Sequence, residues 1–571
     1  MSEGDGRPQG RRPGSGRPEG PRGAGRPERG RPDGSRGETR PDGSGDGRPG
    51  QHRARGGSGR GRPGAPDRGA GPDRGERSGS DRPRNESGHE GNKRSWGTYQ
   101  KATPDPARRA AFDVLVAVAA RDAYANLTLP PLLVERRLTG RDAAFVTELT
   151  YGTLRHRGTL DPILAAGSSR PIDKVDLRVL QALRLGAYQL LFTRVPDHAA
   201  VAGTVEVARV ALTDGPARFV NAVLRRVSER DLDTWLDEVT PDLAADPIAH
   251  LAIRYSHPEW VVRTFADALG EDTARLAAGE SETGRALAAD NERPGVDLTA
   301  RPGRIDAKEL AADVAGEPGR WSPVAVKLPE GAPGNVAAIA DGRAHVQDEG
   351  SQLCAWTLAT APLEGEDTRW LDLCAGPGGK AGLLASIGAA RGVHLTAVEV
   401  SEHRAKLVES AVAGLPVTVL TVDGRDVGTH PELPEGGFDR VLVDAPCTGL
   451  GALRRRPEAR WRRQPGDVPA LAKLQRELLT AALRAARPGG LVAYVTCSPH
   501  LAETRVLVAD VCRRTGAEPV DVRIVPEAAA AADVNPIPEG ASAARAAALQ
   551  LWPHRHGTDA MFLSLLRKPA E

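Results

Sequence analysis

From Pro106 to about Asp231 apolar positions recur at helical spacing, and Ala107–Leu127 (ARRAAFDVLVAVAARDAYANL) reads as one amphipathic helix. Lys174–Phe192 (KVDLRVLQALRLGAYQLLF) is apolar nearly all round, the mark of a helix buried on most sides. Turn or helix-start signals at Thr139-Gly140, Arg170-Pro171, Val195-Pro196-Asp197 and Thr213-Asp214-Gly215 divide this stretch into five to seven helices, an all-α unit. Residues 234–345 mix the two periods (YSHPEWVVRTFADALG, GVDLTARPG, VAVKLP) and predict a small α+β bridge with no evident chemistry. Residues 346–565 then alternate strand and helix patterns: WLDLC, a helix to about Ile387, HLTAVEV, a helix near 402–413, VTVLTVD, FDRVLVDAPC, a helix over 468–486, GLVAYVTC and a helix over 502–514. Such alternation predicts a doubly wound parallel sheet. Two closing segments, Ala548–Pro553 and Ala560–Arg567, are expected to be strands at its edge.

Composition changes the picture at the front of the chain. The first 95 of the 571 residues contain no Val, Ile, Leu, Phe, Tyr or Trp. A stretch of Gly, Arg, Pro, Asp and Ser has too little apolar surface to offset the entropy of ordering, so residues 1–100 are expected to be disordered. They carry a net charge of about +8, against about −6 for the remainder. Such a tail suits sliding contact with RNA phosphates, and equally a solubilising leader. Residues 1–30 lack an apolar signal region and no run approaches a membrane span, so a cytoplasmic protein is expected. The five cysteines form no C-x-x-C pair and no ligand cluster, so neither a metal nor a disulfide framework is expected.

Candidate chemistry gathers at the carboxyl ends of the predicted strands, where ligands bind in open α/β sheets. The first strand feeds Asp372-Leu373-Cys374-Ala375-Gly376-Pro377-Gly378-Gly379-Lys380 and then a helix, whose glycines allow a tight turn and close approach to the helix N-terminus. A phosphate loop would need Gly at Cys374 and Ser or Thr at Ala381, while a dinucleotide fingerprint survives only as a G-x-G-x-x-A variant. Glu399 ends the second strand, placed to accept from two ribose hydroxyls. Asp423 ends the third, placed to take an adenine amino group. Glycine loop, Glu399 and Asp423 together suit an adenosine-bearing cofactor without pyrophosphate; the plainer reading is solvated acids at loop starts. Cys447 and Cys497 close two further strands that, as sheet neighbours, would aim both thiols into one pocket. Cys354 and Cys512 read as small buried hydrophobes, and Cys374 as lining the cofactor loop. Arg454, Arg455, Arg456, Arg460, Arg462 and Arg463, with Trp461 among them, follow Cys447 and are expected to hold a substrate strand.

FVTELTYGTLR (145–155), LRLGAYQL (183–190) and FVNAVLRR (219–226) resemble the NusB-like RNA-binding helical domain; Arg155, Arg157, Arg225 and Arg226 then become candidate RNA contacts. DLCAGPGGK, AVEVSEHR, TVDGRD, DAPCTGLGALRRRPEARW and TCSP, in that order, resemble RNA cytosine-5 methyltransferases that use S-adenosylmethionine, and with the helical domain in front, the RsmB/Sun (Fmu) family acting on 16S ribosomal RNA. The resemblance covers roughly residues 105–568. It implies an α/β Rossmann-like methyltransferase domain over 346–568, a NusB-like all-α domain over 105–232 and an α+β bridging region over 234–345; the tail over 1–100 lies outside it and departs from ordinary members of the family. It further implies S-adenosyl-L-methionine held by Cys374, Ala375, Gly376, Pro377, Gly378, Gly379, Lys380, Glu399, Asp423 and Asp444. Cys497 is the implied nucleophile and Cys447 assists product release, whereas DNA cytosine-5 enzymes attack from the Pro-Cys position. Asp444 is suited to the base edge at nitrogen 3 or the amino group, and Lys380 to supporting the thiolate or orienting Asp444. A charged Lys at a helix start opposes the dipole, which calls for a local partner. The expected partner is RNA, bound by a monomer with no membrane and no metal. Transfer RNA or another RNA as substrate, and a non-catalytic RNA-binding or assembly role, are the alternatives.

Overall fold

The computed structural model describes residues 104–329, 331–535 and 547–570; the tail expected to be disordered lies outside them. Asp105 caps the first helix, Pro106–Arg121, its carboxylate accepting the Arg108 N–H at 2.7 Å. The sequence pattern runs on to Leu127, but the chain turns at Asp122, in the left-handed region at φ 51°, and restarts as Ala125–Glu135. The break has a distant cause. The freed Ala123 carbonyl accepts from Arg462, and the Ala125 N–H donates to Glu458 at 3.1 Å. Helices Gly140–Arg155, Arg157–Gly167, Leu177–Phe192, Asp197–Ala211 and Asp214–Val227 complete the all-α unit. Leu177–Phe192 sits at its centre, with Ala182, Leu183, Leu185 and Ala187 fully buried, as its apolar sequence requires. Five further helices lead into a small antiparallel sheet of Val296–Ala300 (β1), Glu317–Pro318 (β2), Ala325–Leu328 (β3) and Ala344–Val346 (β4), in the order β2-β3-β1-β4.

The larger sheet contains Arg369–Asp372 (β5), His394–Val398 (β6), Val417–Leu420 (β7), Phe438–Asp444 (β8), Ala486–Thr496 (β9), Glu518–Val520 (β10), Leu549–Gln550 (β11) and Phe562–Arg567 (β12). Its order is β10-β12-β9-β8-β5-β6-β7, parallel from β9 to β7. Side chains alternate between two cores. Leu371, Val441, Val443, Val492 and Tyr494 pack under helices Val468–Ala485 and Arg505–Thr515. Trp370, Leu442, Leu491, Ala493 and Val495 pack under Glu349–Thr360 and Gly379–Ala389. The chain leaves β5 toward β6 on one side and returns to β8 on the other, so the switch point lies at the carboxyl ends of β5 and β8.

The closing strands depart from expectation. β12 is not at the edge: it lies antiparallel between β9 and β10, and β11 pairs beside it. Phe562–Leu566 is buried throughout, so this strand needs cover on both sides. The three-residue β10 takes the edge, short enough to blunt it and too short to be legible as a strand. Among the described residues, no helix is long and apolar enough to cross a membrane.

Candidate active site

β8 and β9 are parallel neighbours with Asp444 opposite Val495, so the loops that follow them emerge side by side. The Sγ atoms of Cys447 and Cys497 stand 3.4 Å apart, within hydrogen-bond reach. Both loops are tied to each other by backbone. The Gly451 N–H donates to the Cys497 carbonyl at 2.8 Å, and a Cβ on Gly451 would lie 2.2 Å from the Ala560 carbonyl oxygen, so only glycine allows this approach.

Beneath the thiols lies a fully buried carboxylate that sequence reasoning missed. Glu503 Oε1 accepts from the Thr448 N–H at 2.8 Å and Gln475 Nε2 at 3.0 Å; Oε2 accepts from Ser498 Oγ at 2.7 Å and from the Thr448 hydroxyl. Thr448 follows one cysteine and Ser498 the other, so one side chain fixes both loops. Gln475 also donates to the Pro446 carbonyl at 2.8 Å. The available signal was an acid at the start of a helix directly after a reactive loop, five residues beyond Ser498 and next to Thr504.

Lys380 and Asp444 meet. Lys380 Nζ lies 2.8 Å from Asp444 Oδ2, the partner that a lysine at a helix start calls for. Burial alone would lower the Lys380 pKa, but the Asp444 carboxylate outweighs it and holds the ammonium above its ordinary value. Charges around the two thiols differ. Lys380 interacts electrostatically with Cys497, whereas the Glu503 carboxylate faces Cys447. The hydrogen bond to Cys497, then burial, holds the Cys447 thiol well above its ordinary pKa.

Asp372, Glu399 and Asp423 follow one another at the ends of β5, β6 and β7. Asp372 is fully buried; one oxygen accepts the Cys374 N–H at 3.3 Å and the other has no hydrogen-bond partner. Burial, then the nearby Asp444, pushes its carboxyl up to about 7. Beyond it the chain turns through Cys374, Ala375, Gly376 and Pro377, the Gly378 N–H donating to the Ala375 carbonyl at 2.7 Å. Gly378, at φ 109°, starts the helix Gly379–Ala389. A Cβ on Gly376 would sit 2.2 Å from Glu399 Oε2, so glycine brings loop and acid together. Arg404 bridges them, donating to the Gly376 carbonyl and pairing with Glu399 at 3.2 Å. Asp423 accepts from the Arg425 N–H at 2.9 Å and its guanidinium at 2.6 Å, which hold its carboxyl below the usual range.

Comparison with known proteins points the same way. Residues 358–567 match the family described as 16S rRNA methyltransferase RsmB/F, and residues 105–229 match the NusB family. A Mycobacterium tuberculosis protein, Rv1407, named as a methyltransferase with no substrate stated, is 56% identical over 464 residues, covering 81% of this chain and 97% of its own. The ribosomal RNA small subunit methyltransferase B of Salmonella typhi is 34% identical over 398 residues, 68% of this chain and 85% of its own. The chain belongs to the RsmB/F methyltransferase family. Its fold extends to the crystal structure of PH0851, at 20% identity and TM-score 0.64, covering 82% of this chain and 100% of that one. As an RsmB/F-family protein it is an S-adenosylmethionine-dependent RNA cytosine-C5 methyltransferase.

One expectation fails in this RsmB/F-family chain. Four of the six arginines after Cys447, Arg454, Arg455, Arg460 and Arg462, are turned inward onto protein partners and do not form a face for a substrate strand. Arg455 reaches Asp348 at 2.9 Å, Asp297 at 3.1 Å and Asp559 at 3.1 Å; Arg454 donates to the Gly557 carbonyl at 2.9 Å. Arg460 is fully buried, donating to Asn291 and to the carbonyls of Arg155, Ser256 and Asp290. Arg462 donates to the Val118 and Ala123 carbonyls. Of the six, Arg456 is the one classed as exposed, and Arg463 is half-buried. The run reads as basic surface because its acidic and carbonyl partners lie a hundred or more residues away. It is a clasp joining the helical unit, the bridge and the sheet. Arg155 is likewise buried, donating to the Arg454 carbonyl at 3.4 Å, whereas Arg225 and Arg226 are exposed.

Proposed function

We propose that this chain methylates carbon 5 of a cytosine in 16S ribosomal RNA through a covalent bond between Cys497 and carbon 6. The contact of the two sulfurs at 3.4 Å, beside the switch point of the sheet, carries this reading. The name of the Salmonella typhi relative supports the small-subunit target. The donor set suits the cofactor: Asp372 offers a buried oxygen without a partner, Gly376 and Gly378 leave the loop open to close approach, and Glu399 and Asp423 are acids at successive strand ends. Cys374 through Lys380, with Glu399, Asp423 and Asp444, would hold S-adenosylmethionine, which supplies an electrophilic methyl group when bound.

Carbon 5 of cytosine is a weak nucleophile until a thiolate adds at carbon 6. Cys447 keeps its proton in the hydrogen bond between the two sulfurs, which leaves Cys497 to attack. Asp444, steadied by Lys380, holds the base edge at nitrogen 3 or the amino group as charge develops. Once the Cys497 sulfur is bonded to carbon 6, the hydrogen bond that chiefly held up the Cys447 proton is weakened. Cys447 can then give its own proton to solvent and take the proton of carbon 5 once that carbon carries the methyl group; the electron pair of the broken C–H bond restores the ring double bond as the bond between carbon 6 and the Cys497 sulfur breaks. The base must be unpaired or flipped for a thiol to reach carbon 6. The same reading assigns residues 105–232 to RNA contact and 234–345 to bridging, and places a monomer in the cytoplasm.

Incubating each cysteine variant with RNA and cofactor tests the roles. Cys447→Ala is expected to accumulate a protein–RNA adduct that survives denaturation, and Cys497→Ala to form none. The opposite pattern exchanges the roles, and absence of methyl transfer by the unaltered protein to any cellular RNA favours the assembly-factor alternative. Methylation of purified transfer RNA but not 16S RNA would discard the ribosomal target.

A further inference from the structure

Cys447 and Cys497 are 50 residues apart in the chain, yet their sulfurs stand 3.4 Å from each other. A disulfide needs ~2.05 Å between sulfurs, so closure asks for about 1.4 Å more. Folding has already brought the partners together. Thr448 and Ser498, the residues after each cysteine, both donate to Glu503, and the Gly451 N–H holds the Cys497 carbonyl at 2.8 Å. Two groups fixed side by side react as though each were at a concentration far beyond any thiol in solution. Both cysteines are half-buried, so a molecule the size of water reaches them. The other thiols are placed differently: Cys354 is fully buried in the core on one face of the sheet, and Cys512 packs against the core on the other.

We propose that Cys447 and Cys497 are a modification site, closing into a reversible disulfide on exposure to hydrogen peroxide and thereby leaving methyl transfer without either thiol. The bond rests on the geometry of the two loops; its effect on activity rests on the cysteine roles of the preceding section.

Cys447 keeps its proton in the shared hydrogen bond, so the first attack falls to Cys497. Its thiolate attacks one peroxide oxygen; an S–O bond forms, the O–O bond breaks and hydroxide leaves, which makes Cys497 a sulfenic acid. Cys447 then loses its proton and attacks the Cys497 sulfur. The S–S bond forms as the S–O bond breaks, and the departing hydroxide takes up a proton as water. In total the two thiols lose two electrons and two protons, and peroxide becomes two waters. A reducing compartment keeps the pair open at rest, and intracellular disulfides are for that reason usually transient and redox-sensing. A dithiol reductant that attacks one sulfur of the half-exposed bond restores both thiols.

Treatment of the reduced full-length protein with hydrogen peroxide, then alkylation and mass mapping of tryptic peptides, reads the bond. A linked pair of peptides bearing Cys447 and Cys497 is expected, with at least about a tenfold fall in methyl transfer that dithiothreitol reverses. Cys447→Ala is expected to give no link; its Cys497 stops at a sulfenic acid that dimedone captures, or goes on to a sulfinic acid that dithiothreitol does not reverse. Cys497→Ala is likewise expected to give no link. Thermal unfolding checks that both variants fold, and either folded variant suffices. Cys512→Ser leaves the pair untouched and should keep the link. Single oxidation of the parent without a link, a link through Cys374 in place of either thiol, or a link that leaves methyl transfer unchanged would overturn the proposal. If the untreated protein methylates RNA but no link ever forms, the disulfide fails and the catalytic reading stands. If the link forms while the untreated protein transfers no methyl group to any RNA, the catalytic reading fails and the modification site stands.

Discussion

The two halves of the site are held by different means. Around the thiols, hydrogen bonds to the fully buried Glu503 lock both cysteine loops. Around the expected cofactor position, Asp423 is paired with Arg425, their side chains 31% and 46% exposed. Buried bonds of a charged group are expensive to break, whereas exposed ion pairs are worth about 0–1 kcal/mol and exchange readily. The sulfur half is thus set before any substrate arrives, and the cofactor half has in Asp423 an acid whose present partner is cheap to release. Nucleophilic attack depends on sub-ångström placement, while a cofactor must enter and leave every turnover.

Breaking the rigid half should have the largest effect. Glu503→Ala strands buried donors from Thr448, Gln475 and Ser498 and is expected to cost on the order of 3 kcal/mol or more in thermal or urea unfolding. Methyl transfer should fall at least about a hundredfold through misplacement of the thiols. Glu503→Gln, which keeps the shape and one acceptor, should recover part of both, and alkylation rates of Cys447 and Cys497 report whether the loops have moved. If Glu503→Ala leaves those rates and the transfer rate unchanged, the carboxylate does not position the site.

Asp372 lies between the halves, and its effect depends on pH. Because burial raises its carboxyl from 3.8 to about 7, ionisation penalises the folded state increasingly as pH rises across that interval. Asp372→Asn is therefore expected to be more stable than the parent at pH 8, by on the order of 1–4 kcal/mol, with the gain vanishing near pH 4. Unfolding in the absence of cofactor at both pH values checks this, and an equal gain at both would refute the assignment.

The smallest effects belong to the exchangeable half. Asp423→Asn should raise the KM for S-adenosylmethionine about tenfold, as loss of one hydrogen bond to a charged group predicts. Arg425→Ala should leave the unfolding midpoint essentially unchanged and that KM no higher. A large destabilisation from Arg425→Ala would show that the pair is structural and erase the contrast.

What was legible in the sequence was whatever local pattern carries. Strand ends marked by Asp444-Ala445-Pro446-Cys447 and Thr496-Cys497 placed the thiols, since parallel neighbours deliver their loops to one side. Lys380 betrayed its need of a partner by standing at a helix start, and Asp444 supplies it. Illegible were features created by distant contacts. The helix expected over Ala107–Leu127 breaks at Asp122 because Arg462 and Glu458, over three hundred residues on, claim the backbone groups released there. Glu503 looked like any acid at a helix start until the loops converged on it. The arginines after Cys447 looked solvated because nothing local shows that Asp297, Asp348 and Asp559 surround Arg455.

Arg460 has a consequence for how such a protein can evolve. Its guanidinium draws on carbonyls at Arg155, Ser256 and Asp290, and on Asn291, without contact with solvent. Deleting the leading helices, or exchanging them for a different targeting module, would take one of those carbonyls, that of Arg155, from a buried cation. The ancestry is modular, but the finished molecule is not, and any recombination between relatives must carry residue 460 and its oxygen cage across together.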